Sequence, residues 1–167
     1  MKPAPPPPSP FLRSLPETRI KLAIAHILYR TLRAIGYQDR QHIRRNGIAF
    51  EVDISEVLGL SVFLSGSFQR HVLNPSLIQL PADAVMVDVG ANIGSFALQL
   101  AQLAPQGKVY AFEPTDYAYH ELLSNLSLNP KLASRIEPLQ AFVSVKSTNR
   151  PTITAYSSWK LTSWRPA

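Results

Sequence analysis

Apolar residues recur at three- and four-residue steps from Leu15 through Ile20, Ala23, Ile24, Ile27, Leu28 and Leu32 to Ile35, with Pro16 near the start and Gly36 at the end. That period puts them on one side of a helix, so residues 17–35 are expected to form one amphipathic helix. At 48–54 the pattern changes: IAFEVDI alternates as a half-buried strand does, and the apolar residues of SVFLSGSF suggest a second strand over 61–68. These two strands, in a segment spanning 45–80, are expected to make a small antiparallel lid or edge. The rest reads differently. AVMVDV at 84–89 is an apolar run broken only by Asp88, and a glycine-rich turn and a helical stretch at Phe96, Leu98, Leu100, Ala101 and Leu103 follow it. Strand, helix and strand follow again at about 108–112, 116–128 and 136–143. Alternation of this kind predicts an α/β fold with a doubly wound parallel sheet, of which 81–145 supplies the first half.

Composition changes this picture at the ends. Six of the first ten residues are proline, so 1–16 is expected to be an extended, solvated tail without the apolar run of a secretory signal. Residues 146–167 hold few helix signals and are expected to be irregular. The chain has 167 residues, 46% hydrophobic and 17% charged, enough for one buried core. It has no cysteine, which excludes disulfides, thiolate metal sites and a cysteine nucleophile, and fits a cytoplasmic setting. The net charge is +6, and residues 1–50 carry nine bases against Glu17 and Asp39. The basic character is thus assigned to the N-terminal extension, which argues against nucleic acid as a partner of the domain behind it. For the N-terminal helix two readings stand: packing on its own domain, or weak contact with an anionic membrane surface.

Candidate chemistry sits in DVGANIGSF, where strand gives way to helix. Gly90 permits a tight turn, Gly94 permits close packing of the helix, and the helix N-terminus is expected to turn backbone N–H groups toward a ligand. A dinucleotide fingerprint needs glycine-like residues at 90, 92 and 95; Asn92 and Ser95 disfavour it. Glu113 closes the second strand nineteen positions after Gly94, where a carboxylate can accept both hydroxyls of a ribose. Asp88 either faces the ligand or bonds the loop's own N–H groups. Tyr117, Tyr119, His120 and His71 receive no role, and Glu121 is taken as an acid without one.

VMVDVGANIGSFAL followed by VYAFEPTDYAYHELLSNLSLN resembles the class I methyltransferases that use S-adenosylmethionine, and specifically the FkbM family. The likeness runs over roughly residues 45–145 and implies a Rossmann-like fold. It also implies that Asp88, Gly90, Ala91, Asn92 and Gly94 surround the methionine part of the cofactor, that Glu113 holds the ribose, and that Pro114, Ala141 and Phe142 lie near the adenine; Phe142 reads equally well as core. The expected activity is O-methylation of a hydroxyl on a small molecule, a sugar or a lipid-linked acceptor. FkbM enzymes continue into a fourth strand resembling I-D-V-E-G-A-E, which does not occur here. The alternative is therefore an inactive fragment or cofactor-binding module that self-associates through an unpaired sheet edge. No catalytic base and no metal ligand are assigned.

Overall fold

The computed structural model describes residues 16–66, 79–144 and 160–163. Helix α1 (Pro16–Ala34) leads into a hairpin of β1 (Arg40–Arg45) and β2 (Ile48–Asp53), then α2 (Val57–Ser65). The second unit runs β3 (Val85–Val89), α3 (Ser95–Leu103), β4 (Lys108–Phe112), α4 (Asp116–Ser127), the short α5 (Pro130–Ala133) and β5 (Ile136–Leu139). A 3₁₀ turn at Leu161–Ser163 closes the described chain. The proline-rich stretch 1–15 and His71 lie outside the described residues.

The three later strands pair in parallel in the order β3-β4-β5, with Asp88 opposite Ala111 and Ala111 opposite Pro138. This is a Rossmann-like α/β unit with an incomplete sheet. Alternation along the strands gives it two unlike faces. Val109 and Ala111 are fully buried and Ile136 is 7% exposed on the side where α3 packs. On the other side Val85, Val87 and Val89 are 61–70% exposed, and Lys108 lies over the Tyr110 ring and pairs with Glu137. Among the described residues, helices cover one face of the sheet.

The hairpin corrects the expectation of a lid. Ile48, Phe50, Val52 and Ile54 are at most 1% exposed and join the core of α3 and α4. Full burial of such side chains stabilises by about 1.5 to 3 kcal/mol each, too much for an element that swings freely. Strand β1 had no clear signal because RQHIRR holds a single apolar residue, Ile43, which packs inward. The strand expected at 61–68 is instead the last part of α2, and 67–68 lie outside the described residues. Gly59, Leu60, Val62 and Phe63 are buried at helical spacing, and Gly66 ends the helix in the left-handed conformation. A short apolar run serves a buried helix as well as a strand, and only packing decides.

Two further expectations change. The third core strand stops at Leu139, which pairs with Phe112 at the end of the ladder. Nor is the described end of the chain irregular. Lys160 bridges Glu56, the Leu161 N–H donates to the Ser55 carbonyl at 2.7 Å, and Leu161 is 1% exposed. His26 of α1 lies 3.0 Å from the Leu161 carbonyl, which ties the far end of the chain to its first helix.

Candidate functional site

Strand alternation turns Asp88 onto the covered face, beneath the first turn of α3. There its carboxylate accepts a hydrogen bond from the Ala97 N–H, a donor that the helix itself leaves unpaired. Its Oδ2 is buried and has no hydrogen-bond partner among the described residues. Burial pushes this carboxyl up to about 6, the negative charge of Glu113 acts in the same direction, and the Ala97 N–H works against both.

The turn from Gly90 to Gly94 carries three residues in the left-handed region, Gly90, Asn92 and Gly94. A Cβ on Gly90 would meet nothing within 4 Å, so this backbone borders open space. A Cβ on Gly94 would come 2.5 Å from Leu122 Cδ1, so the close packing expected here is against α4 rather than the sheet.

The turn that precedes α3 keeps its own N–H groups for the protein. Gly90 and Ala91 both donate to the Phe112 carbonyl, Asn92 donates to Glu113 Oε2, Ile93 to Asn92 Oδ1, and Gly94 to the Ala91 carbonyl. Every N–H from 90 to 94 is satisfied inside the protein. Glu113 is 5% exposed, and its Oε1 also accepts from the Thr115 N–H at 3.0 Å and the Thr115 hydroxyl at 2.6 Å. A carboxylate has roughly four acceptor positions, which leaves room on Oε2 for one hydroxyl; a second must displace Thr115 or Asn92. The turn from Gly90 to Gly94 thus presents acceptors rather than donors.

The structure gathers Asp88, Gly90, Ala91, Asn92, Gly94 and Glu113 around the carboxyl ends of β3 and β4, with half-buried Pro114 beside them. The end of β5 is tied in, because the Leu139 carbonyl accepts from both the Glu113 and the Ala141 N–H groups. Ala141 is exposed and Phe142 is 54% exposed, so Phe142 is not a core residue. Two hollows of about 430 and 460 Å³ lie elsewhere, one between Arg44 and Lys131 and one between Ile35 and His42. Neither is lined by the glycine turn.

Sequence reasoning missed the support behind the turn. Glu121 and Asn125 stand four residues apart along one side of α4, and Asn129 follows at the same spacing just past its end, at the start of α5. Asn125 accepts from the Glu51 N–H and donates to the carbonyls of Glu51 and Ile93, while Asn129 does the same for the N–H and carbonyl of Ala49. Arg40 forks onto Glu121 at 2.8 and 3.1 Å and also reaches Glu51. Glu121 is thus no idle acid. A polar stripe at i, i+4, i+8 on a helix whose neighbours are apolar was the available signal.

No family model matches the chain. It is 40% identical over 75 residues to Methyltransferase sdnD of Sordaria araneosa, a match covering 45% of this chain and 29% of that protein. It is 53% identical over 59 residues to the AMB antimetabolite synthetase AmbE of Pseudomonas aeruginosa, covering 35% of this chain and 3% of that one. Among solved structures, M. jannaschii TYW2 in complex with AdoMet superposes with a TM-score of 0.48 at 25% identity, over 64% of this chain and 45% of that one. The chain spans less than a third of either of these two sequence relatives.

Proposed function

We propose that this chain supplies the S-adenosylmethionine-binding half of a class I methyltransferase of the FkbM type, acting on a hydroxyl of a small-molecule, sugar or lipid-linked acceptor. The observation that carries the reading is the acceptor-rich crevice. Asp88 and Glu113 are both buried carboxylates, and the loop between them has spent its N–H groups internally. That turn offers an anionic pyrophosphate no donor of its own. A ligand with ribose hydroxyls and positive charge finds acceptors, and the likeness to Methyltransferase sdnD supports the same choice.

The residues fit that cofactor on three counts. Oδ2 of Asp88 is buried and unpartnered, Oε2 of Glu113 keeps an acceptor position, and Gly90 leaves open space. When bound, S-adenosylmethionine supplies an electrophilic methyl group on a sulfonium. Glu113 accepts a ribose hydroxyl, Asp88 offsets positive charge, and Gly90 keeps the approach clear. Pro114, Ala141 and Phe142 flank the adenine side. The rate advantage in such a transfer comes mainly from positioning. A second reading, a cofactor-binding module without turnover, is favoured by the bare outer face of β3 among the described residues.

Isothermal titration of the full chain with S-adenosylmethionine, S-adenosylhomocysteine and NAD tests the proposal. Saturable binding of the two adenosyl compounds with none of NAD is expected. A folded chain that binds neither adenosyl compound, or prefers NAD, refutes it.

A further inference from the structure

Helix α1 has two apolar sides, and the domain uses only one. Tyr29 is 7% exposed in the core, Ala25 and Leu32 pack against it, and the Tyr29 hydroxyl donates to Asp39. On the opposite side Ile24, Ile27, Leu28 and Ile35 are 52%, 62%, 40% and 67% exposed. Ile24, Ile27 and Leu28, at i, i+3 and i+4, align along one side of α1, and Ile35 lies just past the end of the helix. Single exposed apolar residues are ordinary on a protein surface; a group of four on one element marks a contact.

Helix α1 carries Arg19, Lys21, Arg30 and Arg33 against a single acid, Glu17, in its first turn. Lys21 and Arg30 are exposed, while Arg33 turns toward Asp39 and the Tyr37 carbonyl. Ile35 also lines the hollow of about 460 Å³ that it shares with Arg40 and His42. Arg40, His42 and Arg44 alternate along the outer side of β1; Arg40 is paired with Glu121 and Glu51, so the stripe leads toward His42 and Arg44. The positive charge is therefore part of the folded body and not confined to an extension. No described helix is long and apolar enough to cross a membrane.

We propose that α1 lies on an anionic lipid surface, with Ile24, Ile27, Leu28 and Ile35 entering the boundary between headgroups and acyl chains and Lys21 and Arg30 meeting lipid phosphates. Charge complementarity selects an anionic surface. The apolar stripe selects lipid over nucleic acid, whose backbone offers nothing to bury those side chains. This surface is independent of the cofactor crevice.

Flotation of the full chain with vesicles of phosphatidylcholine alone, and with phosphatidylglycerol added, tests the proposal. Binding is expected only with phosphatidylglycerol, is expected to fall as salt is raised, and is expected to weaken about tenfold or more in Ile27→Gln/Leu28→Gln. Lys21→Gln/Arg30→Gln should weaken it as well. Ile24→Gln/Ile35→Gln repeats the test on the same stripe, with circular dichroism confirming the fold. Equal flotation of wild type and both apolar variants overturns the proposal, as does absence of flotation by the folded wild type. A dimer that the apolar variants convert to monomer, without vesicle binding, assigns the stripe to a second copy and overturns it too. RNA binding that Ile27→Gln/Leu28→Gln leaves intact, without flotation, does the same. A chain that floats but binds no S-adenosylmethionine refutes only the proposed function.

Discussion

Asp88 shows what the site costs the fold. With its carboxyl at about 6 against an ordinary 3.8, the folded state holds the proton more tightly than the unfolded chain does. Stability from this group is therefore full below about pH 4 and is lost as pH rises to about 6, a cost of roughly 3 kcal/mol at neutral pH. Asp88→Asn keeps an acceptor for the Ala97 N–H and removes the charge. It is expected to be more stable than wild type by about 1 to 3 kcal/mol near pH 8 in urea unfolding, with the gap closing by about pH 4. A gap that does not change with pH contradicts this account of Asp88. The identities of Asp88, Gly90, Asn92, Gly94 and Glu113 were legible because a strand-turn-helix needs those residue types at those offsets. What the loop does with its N–H groups was not legible. It depends on the Phe112 carbonyl and Glu113, which reach the turn only when β4 pairs beside β3.

At the scale of elements, α4 is the brace between hairpin and sheet. Asn125 is fully buried and satisfies three backbone groups, two of them on β2 at Glu51 and one at Ile93 next to the glycine turn. Asn125→Leu leaves those groups buried without partners, each costing about 1 to 3 kcal/mol, so a loss of about 3 kcal/mol or more is expected in chemical unfolding. The exposed Ser124→Ala should change stability by about 0.5 kcal/mol or less. Equal stability of the two variants would remove α4 from this role. The parallel unit was legible in the sequence because its buried strands and amphipathic helices follow their periods closely. The hairpin was only half legible. β2 alternates cleanly, but β1 is held by Arg40 through Glu121 and Glu51, and such long-range ion pairs leave no local pattern. For α2, burial of contiguous apolar residues erased the period that separates helix from strand.

At the scale of the molecule, β3 has no partner on its outer side among the described residues, and its Val85, Val87 and Val89 face is bare. An open edge beside an apolar surface is a template for association. Sedimentation velocity of the 167-residue chain should show concentration-dependent species that Val87→Lys reduces while the unfolding midpoint holds; association unchanged by Val87→Lys would place the contact elsewhere. Among the described residues the bare face borders the same ends of β3 and β4 that carry the crevice. The crevice's acceptors belong to those ends, which is why ligand binding, and not turnover, tests the account most directly. The decisive measurement is the affinity of S-adenosylmethionine for wild type, Glu113→Gln and Glu137→Gln by isothermal titration. Glu137 pairs with Lys108 on the bare face and serves as the exposed control. Glu113→Gln is expected to weaken binding about ten- to a hundredfold, from loss of about 1.5 to 3 kcal/mol of charge-assisted hydrogen bonding, with Glu137→Gln unchanged. Equal affinities for all three proteins would contradict the account.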